Sequence, residues 1–511
     1  MSGRAKILIA VGMVLIVAVL IPVIHHYQLR AATEAYIAQL KAEGEPMELA
    51  QVIPPPVPLE QNSAEFFTNA ISELNTNYNT LSSNQPPTML GVAWGKAMVG
   101  WQQPSVCGYA SGPTNSWMEI DVALASEEAG LKMLRELPAK PMFDFDLNYS
   151  NGFSSLKFSP LAAAKRAVLK LGASESSSLR RNDTETGVKD LQSMLSIANG
   201  FSHDHLLISE LVRIAIAQIT VSGAWEFLQS SNLTDAQLVI LQNSWTNLEF
   251  IRPFANSMAI ERVLGGIELK KMRDSTLESY FETMNQIGLF DDNESWFSAL
   301  KIKWNSEMWR YWWSYPDELR QLRGIQSVME ATREVQTNYS FLVAETELKT
   351  KIKNLAVKSD DEDLFWFADP TKADFHFIIS SSMNAFTAAF DKVMRTEVAK
   401  QITITAIALK RYQLKHGSYP PDLNSLAPEF VPKVPLDPVD GQPLRYRRNA
   451  DGTFLLYSVG ENGKDDGGNP ALEPGAESSN YFWLNSEALD WVWPQPATKA
   501  EIQNYYAHPP K

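Results

Sequence analysis

The first feature of the hydropathy pattern is an uninterrupted apolar run. Ile7 to Ile24 is 18 residues without a charge, which at about 1.5 Å per residue nearly matches a bilayer core of roughly 30 Å. The run predicts an uncleaved membrane-spanning helix. A cleaved secretory signal is the competing reading, but its apolar stretch is usually shorter and ends in small residues, whereas His25, His26, Tyr27, Gln28, Leu29 and Arg30 follow here. Arg4 and Lys6 precede the run and only Arg30 lies just beyond it. The positive-inside bias then predicts a cytoplasmic N-terminus and an extracytoplasmic bulk, that is, a single-pass protein of the inner (cytoplasmic) membrane. Residues 31–43 have helical composition and predict a short stalk ending near Gly44 and Pro46. Pro54, Pro55, Pro56 and Pro58 predict a stiff, extended spacer between the anchor and the rest.

Beyond the spacer the pattern changes period several times. A helical stretch runs from about Ala64 to Leu74. In the Gly-, Pro- and aromatic-rich region that follows, Phe143, Phe145, Leu147 and Tyr149 alternate with Asp144, Asp146 and Asn148. That two-residue period predicts a half-buried strand ending in the Asn151-Gly152 turn. From 160 to about 355 the chain reads as helices. Leu207, Leu211, Ile214, Ile219 and Trp225 fall on helically related positions, and the run ends at Asn232. Thr234 and Gln237 form a capping-box pattern that starts the next helix, so a helical hairpin is predicted between 202 and 272, loosened near Gly265-Gly266. One long helix is predicted from Met383 to Lys415. Two strands follow, near Leu444–Arg447 and Thr453–Ser458, joined by a hairpin turn over 449–452. The predicted fold class is α+β, mostly helical. The blocks are an anchor (1–30), stalk and Pro-rich linker (31–80), mixed α+β region (81–160), helical body (161–375), C-terminal module (381–470) and tail (471–511).

Composition narrows the function classes. The chain has 511 residues, 45% of them hydrophobic and 20% charged, which excludes a wholly disordered or fibrous protein. Its formal net charge of -14 would repel a phosphate backbone, so no nucleic-acid partner is expected. A single cysteine, Cys107, forbids an internal disulfide and excludes multi-cysteine zinc or iron–sulfur motifs.

Candidate chemistry is sparse. Asp144 and Asp146 would share one face of the predicted strand, which favours a solvated face over an acid/base or metal pair. His203 and His205 sit two residues apart at a helix start, where capping and packing are favoured over a metal site. Trp304, Trp309, Trp312 and Trp313, with Tyr311 and Tyr315, form the densest aromatic cluster. The i, i+3, i+4 spacing of Trp309, Trp312 and Trp313 predicts a packed helix face, against stacking on sugar rings, peptide or a membrane surface. The acidic run 359–363 reads as a solvated loop. No nucleophile elbow, H-E-x-x-H, Walker or G-x-G-x-x-G pattern occurs in the sequence.

Near the C-terminus an ordered set of short pieces carries a resemblance. Ala408 to Leu414 ends the long helix; then come Gly417-Ser-Tyr-Pro420, Leu426, Val434-Pro-Leu-Asp-Pro438, Leu444-Arg-Tyr446 and Phe454 to Gly463. This stretch resembles the C-terminal half of the major pseudopilin of type II secretion. The resemblance implies a calcium-binding loop after the last strand, here Asn462, Asp465, Asp466 and Asn469 among several glycines. It departs from the family at Gly460-Glu-Asn-Gly463, where a neutral amide replaces an acidic ligand. The cleavable leader of the pseudopilins and the glutamate at their fifth mature residue find no match here, since Ile7 to Ile24 contains no Glu, so assembly into a filament by the family's route is not expected. The remainder looks similar to single-anchor bacterial envelope proteins. The expectation is therefore a non-enzymatic, membrane-anchored envelope protein contacting secretion or other envelope proteins. The alternative is an envelope hydrolase using His203, His205, Asp144 and Asp146.

Overall fold

Three buried helices form the centre of the molecule. In the computed structural model, which describes residues 3–74, 86, 88–108, 112–139, 142–153, 156–274, 309–355 and 377–508, the longer helices in chain order are α1 (Gly3–Ala42), α2 (Ala64–Glu73), α3 (Trp117–Leu134), α4 (Leu161–Arg180), α5 (Thr184–Gly200), α6 (Leu207–Leu228), α7 (Asp235–Thr246), α8 (Ile251–Asp274), α9 (Ser314–Asn338), α10 (Phe341–Leu355), α11 (Phe377–His416) and α12 (Lys499–Ala507), with a single turn at Leu49–Val52. Helices α4, α5 and α6 pack on one another. Their contact is close because Ser174, Ser176, Ser177 and Ser178 bury small side chains on α4, and Gly187 and Gly223 sit against Leu179 and Leu191. The protein is mostly helical with small sheets, as the pattern predicted.

Several local predictions hold in detail. The capping box of α7 closes through Gln237 N to Thr234 Oγ1 (3.3 Å) and Thr234 N to Gln237 Oε1 (3.0 Å). Helix α11 and the hairpin β5 (Arg445–Arg448) to β6 (Phe454–Ser458) lie where expected, with Gly452 at φ +84 in the turn. The hairpin predicted between 202 and 272 differs: its second arm divides into α7 and α8. Leu248 and Phe250 are driven into the core between them, and the freed Glu249 carbonyl accepts the buried Arg213 guanidinium (2.8 Å). Helix α8 runs straight through Gly265-Gly266.

Three expectations are corrected. The segment 143–149 buries its aromatic positions as the alternation required, but it forms no strand. Its backbone partners are a helix end and side chains, with Phe143 N on Gly200 O (3.2 Å) and Asp144 N on Asn62 Oδ1 (3.0 Å), and Asp146 turns to φ +51. The proline segment is no free spacer: Val57 is buried and its amide binds Asp144 Oδ2 (3.1 Å). Nor does the stalk project freely. Thr33 is buried and donates to Tyr315 O (3.0 Å), while Glu45, just past the end of α1, lies between Arg262 of α8 and Arg333 of α9.

The tail is built into the fold. β7 (Trp491–Val492) pairs with β6, and β8 (Gln495–Pro496) runs parallel to β2 (Lys96–Met98), which pairs with β1 (Leu90–Ala93). A separate hairpin joins β3 (Val106–Gly108) and β4 (Gly112–Asn115). Trp225 Nε1 of α6 donates to Pro494 O (2.9 Å). One continuous cluster of buried side chains therefore runs from Val52 to Trp493, through every block that the sequence divides from the linker to the tail.

The apolar run Ile7–Ile24 lies within α1, but its side chains up to residue 22 fall outside the described residues, as do Trp304 and the acidic run 359–363. Among the described residues one helix, α6, is long and apolar enough to cross a membrane; it is mostly buried, as a core helix is. The aromatic cluster begins with a π-helical turn, Trp309–Trp313, in which Trp309 is buried and donates to Asp317 Oδ2 (2.9 Å).

Candidate functional site

The long helix α11 is enclosed by α6, α7 and α9 and carries the proline-rich loop and hairpin at its end. That loop is tied back to the body. Phe341 N and Leu342 N donate to Pro438 O and Val439 O (2.9 Å each), and Gln242 Nε2 donates to Phe430 O (2.7 Å). Asp437 anchors it from within, accepting Val439 N (3.1 Å), Val459 N (3.0 Å) and Ser458 Oγ (2.8 Å) and pairing with Arg445 (3.1 Å).

Between body and module these ties leave a cleft of about 830 Å³, in the range of small-ligand sites. One wall is the segment Val431 to Leu436; the opposite wall is Phe250 and Ile251 with Glu249 and Arg252. The floor is one face of α11: Glu397, Lys400, Gln401 and Ile404 follow the i, i+3, i+4, i+7 rule. Glu397 and Lys400 are nearly buried and meet at 3.4 Å through both carboxylate oxygens. Tyr339, in the left-handed region at φ +52, also lines the cleft. Burial raises its phenol pKa well above the usual value; the nearby Glu397 charge adds to this and the Gln401 amide opposes it. A second cavity of about 250 Å³ lies between α6 and residues 480–484.

The sequence-predicted loop residues have other work. Asp465 Oδ1 accepts Tyr457 OH (2.9 Å) and Gly467 N (3.0 Å), Asn462 Oδ1 accepts Lys464 N (2.8 Å), and Asn469 Oδ1 accepts Ala471 N (3.1 Å). The amides of Asp466, Gly468 and Asn469 converge on the buried carboxylate of Asp490 (3.3, 2.9 and 2.9 Å). A loop that turns N–H groups inward is polarised toward an anion, and here the tail itself supplies that anion. Near the same loop, Glu345, Asp391 and Glu461 bring carboxylate oxygens within 4.8 Å of one another. Lys349 pairs with Glu345, and Arg395 with Glu461 (3.0 Å). Burial, then the Glu345 charge, pushes Asp391 up to about 7.

The hydrolase candidates partly converge. His203 Nε2 lies 3.8 Å from Asp144 Oδ2, and the two imidazoles are 6.3 Å apart. The surrounding bonds are those of a structural clamp. Asp144 accepts Val57 N and Asp146 N (3.1 and 3.0 Å), and His205 sits between Val52 O (3.3 Å) and Asn256 (3.4 Å). Neither histidine caps α6, whose N-cap is Leu206; they secure the 52–62 segment instead. Burial lowers the pKa of both imidazoles. Asp146 is exposed, and none of the four lines either cavity.

Sequence reasoning missed the α11 floor, Tyr339 and Asp490. Glu397 and Lys400 left one signal, two opposite charges three apart on a predicted helix that carries several other charges; Asp490 left none, because its partners lie some twenty residues earlier. No known family model, curated protein or solved structure matches the chain.

Proposed function

We propose that this is a non-enzymatic, membrane-anchored envelope protein, with Ile7–Ile24 as its single span, the N-terminus cytoplasmic and the bulk outside. In this reading the helical body and the type II secretion pseudopilin-like module together form a scaffold that binds other proteins, secretion components among them. The observation that supports it is the enclosure of α11. Val393, Met394, Val398, Ala399, Ile402 and Ile407 are all buried against the body. A helix covered by its own chain cannot pack into a filament, and the module instead forms one wall of a ligand-sized cleft.

The test has two parts. Reporter fusions after residues 30 and 508 should both read as extracytoplasmic, and crosslinking followed by pull-down from membranes should recover a partner. A cytoplasmic C-terminal reporter, or bait recovered alone, counts against the reading. For the hydrolase alternative, Asp144 already accepts two backbone amides and lies 3.8 Å from His203, beyond hydrogen-bond length, outside either cavity. Calcium at Asn462, Asp465, Asp466 and Asn469 stays a proposal for the loop. It would have to share the oxygens of Asp465 and Asn462 with the amides they already accept, and melting of the full chain with calcium against chelator tests it.

A further inference from the structure

We infer that the cleft over α11 binds the free C-terminal end of a peptide, holding its carboxylate at Lys400 and Lys433 and its terminal apolar side chain against the Val431–Leu436 wall. This rests on the scaffold reading above and specifies what the scaffold takes.

The charge balance points to an anionic end. Five charged side chains line the cleft. Glu249 and Arg252 pair at 2.6 Å, and Glu397 pairs with Lys400. Lys433 is exposed and has no acidic partner among the described residues, so the lining carries one net positive charge on a chain whose formal net charge is -14. Lys400 is also under-satisfied. Its ammonium has three N–H groups, yet among the described residues its partner is Glu397 alone, at 3.4 Å to each oxygen. Charge-assisted bonds usually close to about 2.7–2.9 Å. A nearly buried ammonium with donor capacity to spare is stabilised by a second carboxylate, which can take the N–H groups that Glu397 does not use.

The remaining lining favours a peptide over a simple fatty acid. Gln336 and Gln401 each present an amide with both donor and acceptor, and Tyr339 adds a hydroxyl. Peptide bonds can use the donors and acceptors that the Tyr339–Gln401 contact leaves over and those of the exposed Gln336, whereas an alkyl chain offers these groups nothing. Pro432 and Pro435 stiffen the apolar wall, so little conformational entropy is lost on binding.

The test uses the full-length chain in lipid nanodiscs, titrated calorimetrically with three probes. These are an N-acetylated pentapeptide ending in Leu-Val with a free carboxylate, the same peptide amidated, and octanoate. The free acid is expected to bind about tenfold or more tightly than the amide, the size of a charge-assisted hydrogen bond, and also more tightly than octanoate. Lys433→Ala, an exposed change that leaves the core alone, should weaken the acid peptide several-fold and reduce its salt dependence. The paired replacement Glu397→Gln with Lys400→Met keeps the buried volume without leaving a lone charge, and should abolish the acid-over-amide preference. Equal binding of acid and amide, octanoate binding as tightly as the acid peptide, no binding of any probe, or a preference that survives the paired replacement would each overturn the inference. Failure of the scaffold reading shows separately, as bait recovered alone from membranes while the peptide still binds.

Discussion

Removing the charge of Glu45 should loosen the junction between α1 and the body. Glu45 is nearly buried just past the end of α1. Its oxygens accept Arg333 (2.7 Å for one nitrogen, with the other also bonded), Arg262 (3.0 Å) and Gln326 (3.0 Å). The Arg333 hydrogen bond, followed by those of Gln326 and Arg262, outweighs burial and holds the carboxyl at about 2, against an ordinary 4.5. That gap corresponds to ~3 kcal/mol, reduced to ~2–3 kcal/mol because Arg333 is nearly half exposed to screening solvent. Losing one partner of a buried ion pair typically costs 3–5 kcal/mol, and Arg262 is fully buried, so roughly 3 kcal/mol is the expected loss for Glu45→Gln. Unfolding entropy of about 2.1 cal/mol/K per residue over roughly 450 residues makes this ~3 °C in Tm if the body melts as one unit. The sign with pH follows from the depressed pKa: the contribution is fully present above about 4.5 and is lost as pH falls toward 2. Scanning calorimetry at pH 7 and pH 3 should therefore show a gap between the native chain and Glu45→Gln that narrows in acid. Equal melting at pH 7, or a gap that is unchanged at pH 3, refutes the argument.

Other outcomes follow from single groups. Burial raises Glu226 to about 8 and Glu175 well above its usual value, so both favour a neutral carboxyl in the fold. The Glu226 contribution is present below about 4.5 and is lost as pH rises through 8; Tm should fall between pH 6 and 8.5, and Glu226→Gln should flatten that slope. An unchanged slope in the variant would sink this assignment. A Cβ at Gly200 would lie 2.4 Å from the ring of Phe143, itself wedged between Phe67 and Phe201, so Gly200→Ala should cost about 1–3 kcal/mol by overpacking, read as a lowered denaturation midpoint. Asp490→Ala leaves three amides of the 466–469 loop without their acceptor. Hydrogen exchange there should accelerate by an order of magnitude or more, and protection equal to that of the native chain would show that the loop does not depend on Asp490.

The sequence by itself determined the elements whose cause is local. The Thr234–Gln237 cap, the extent of α11, the Asn449–Gly452 hairpin and the alternating burial of Phe143 to Tyr149 each depend on residues within a few positions of one another. What the alternation could not say is what the backbone of 143–149 would bond to, because Asn62 and Gly200 are remote in sequence. Only the tertiary structure decided that the stalk and proline segment lie on the body, that the tail closes two sheets, and that one core joins the blocks from linker to tail. It also decided the cleft. Glu397 and Lys400 were legible as an opposite-charge pair three apart on a helix, but a site needs walls, and Tyr339, Arg252 and Lys433 come from three other parts of the chain. Local propensity fixes which face a helix presents; the distance between two such faces is set by packing over hundreds of residues, and there the site forms.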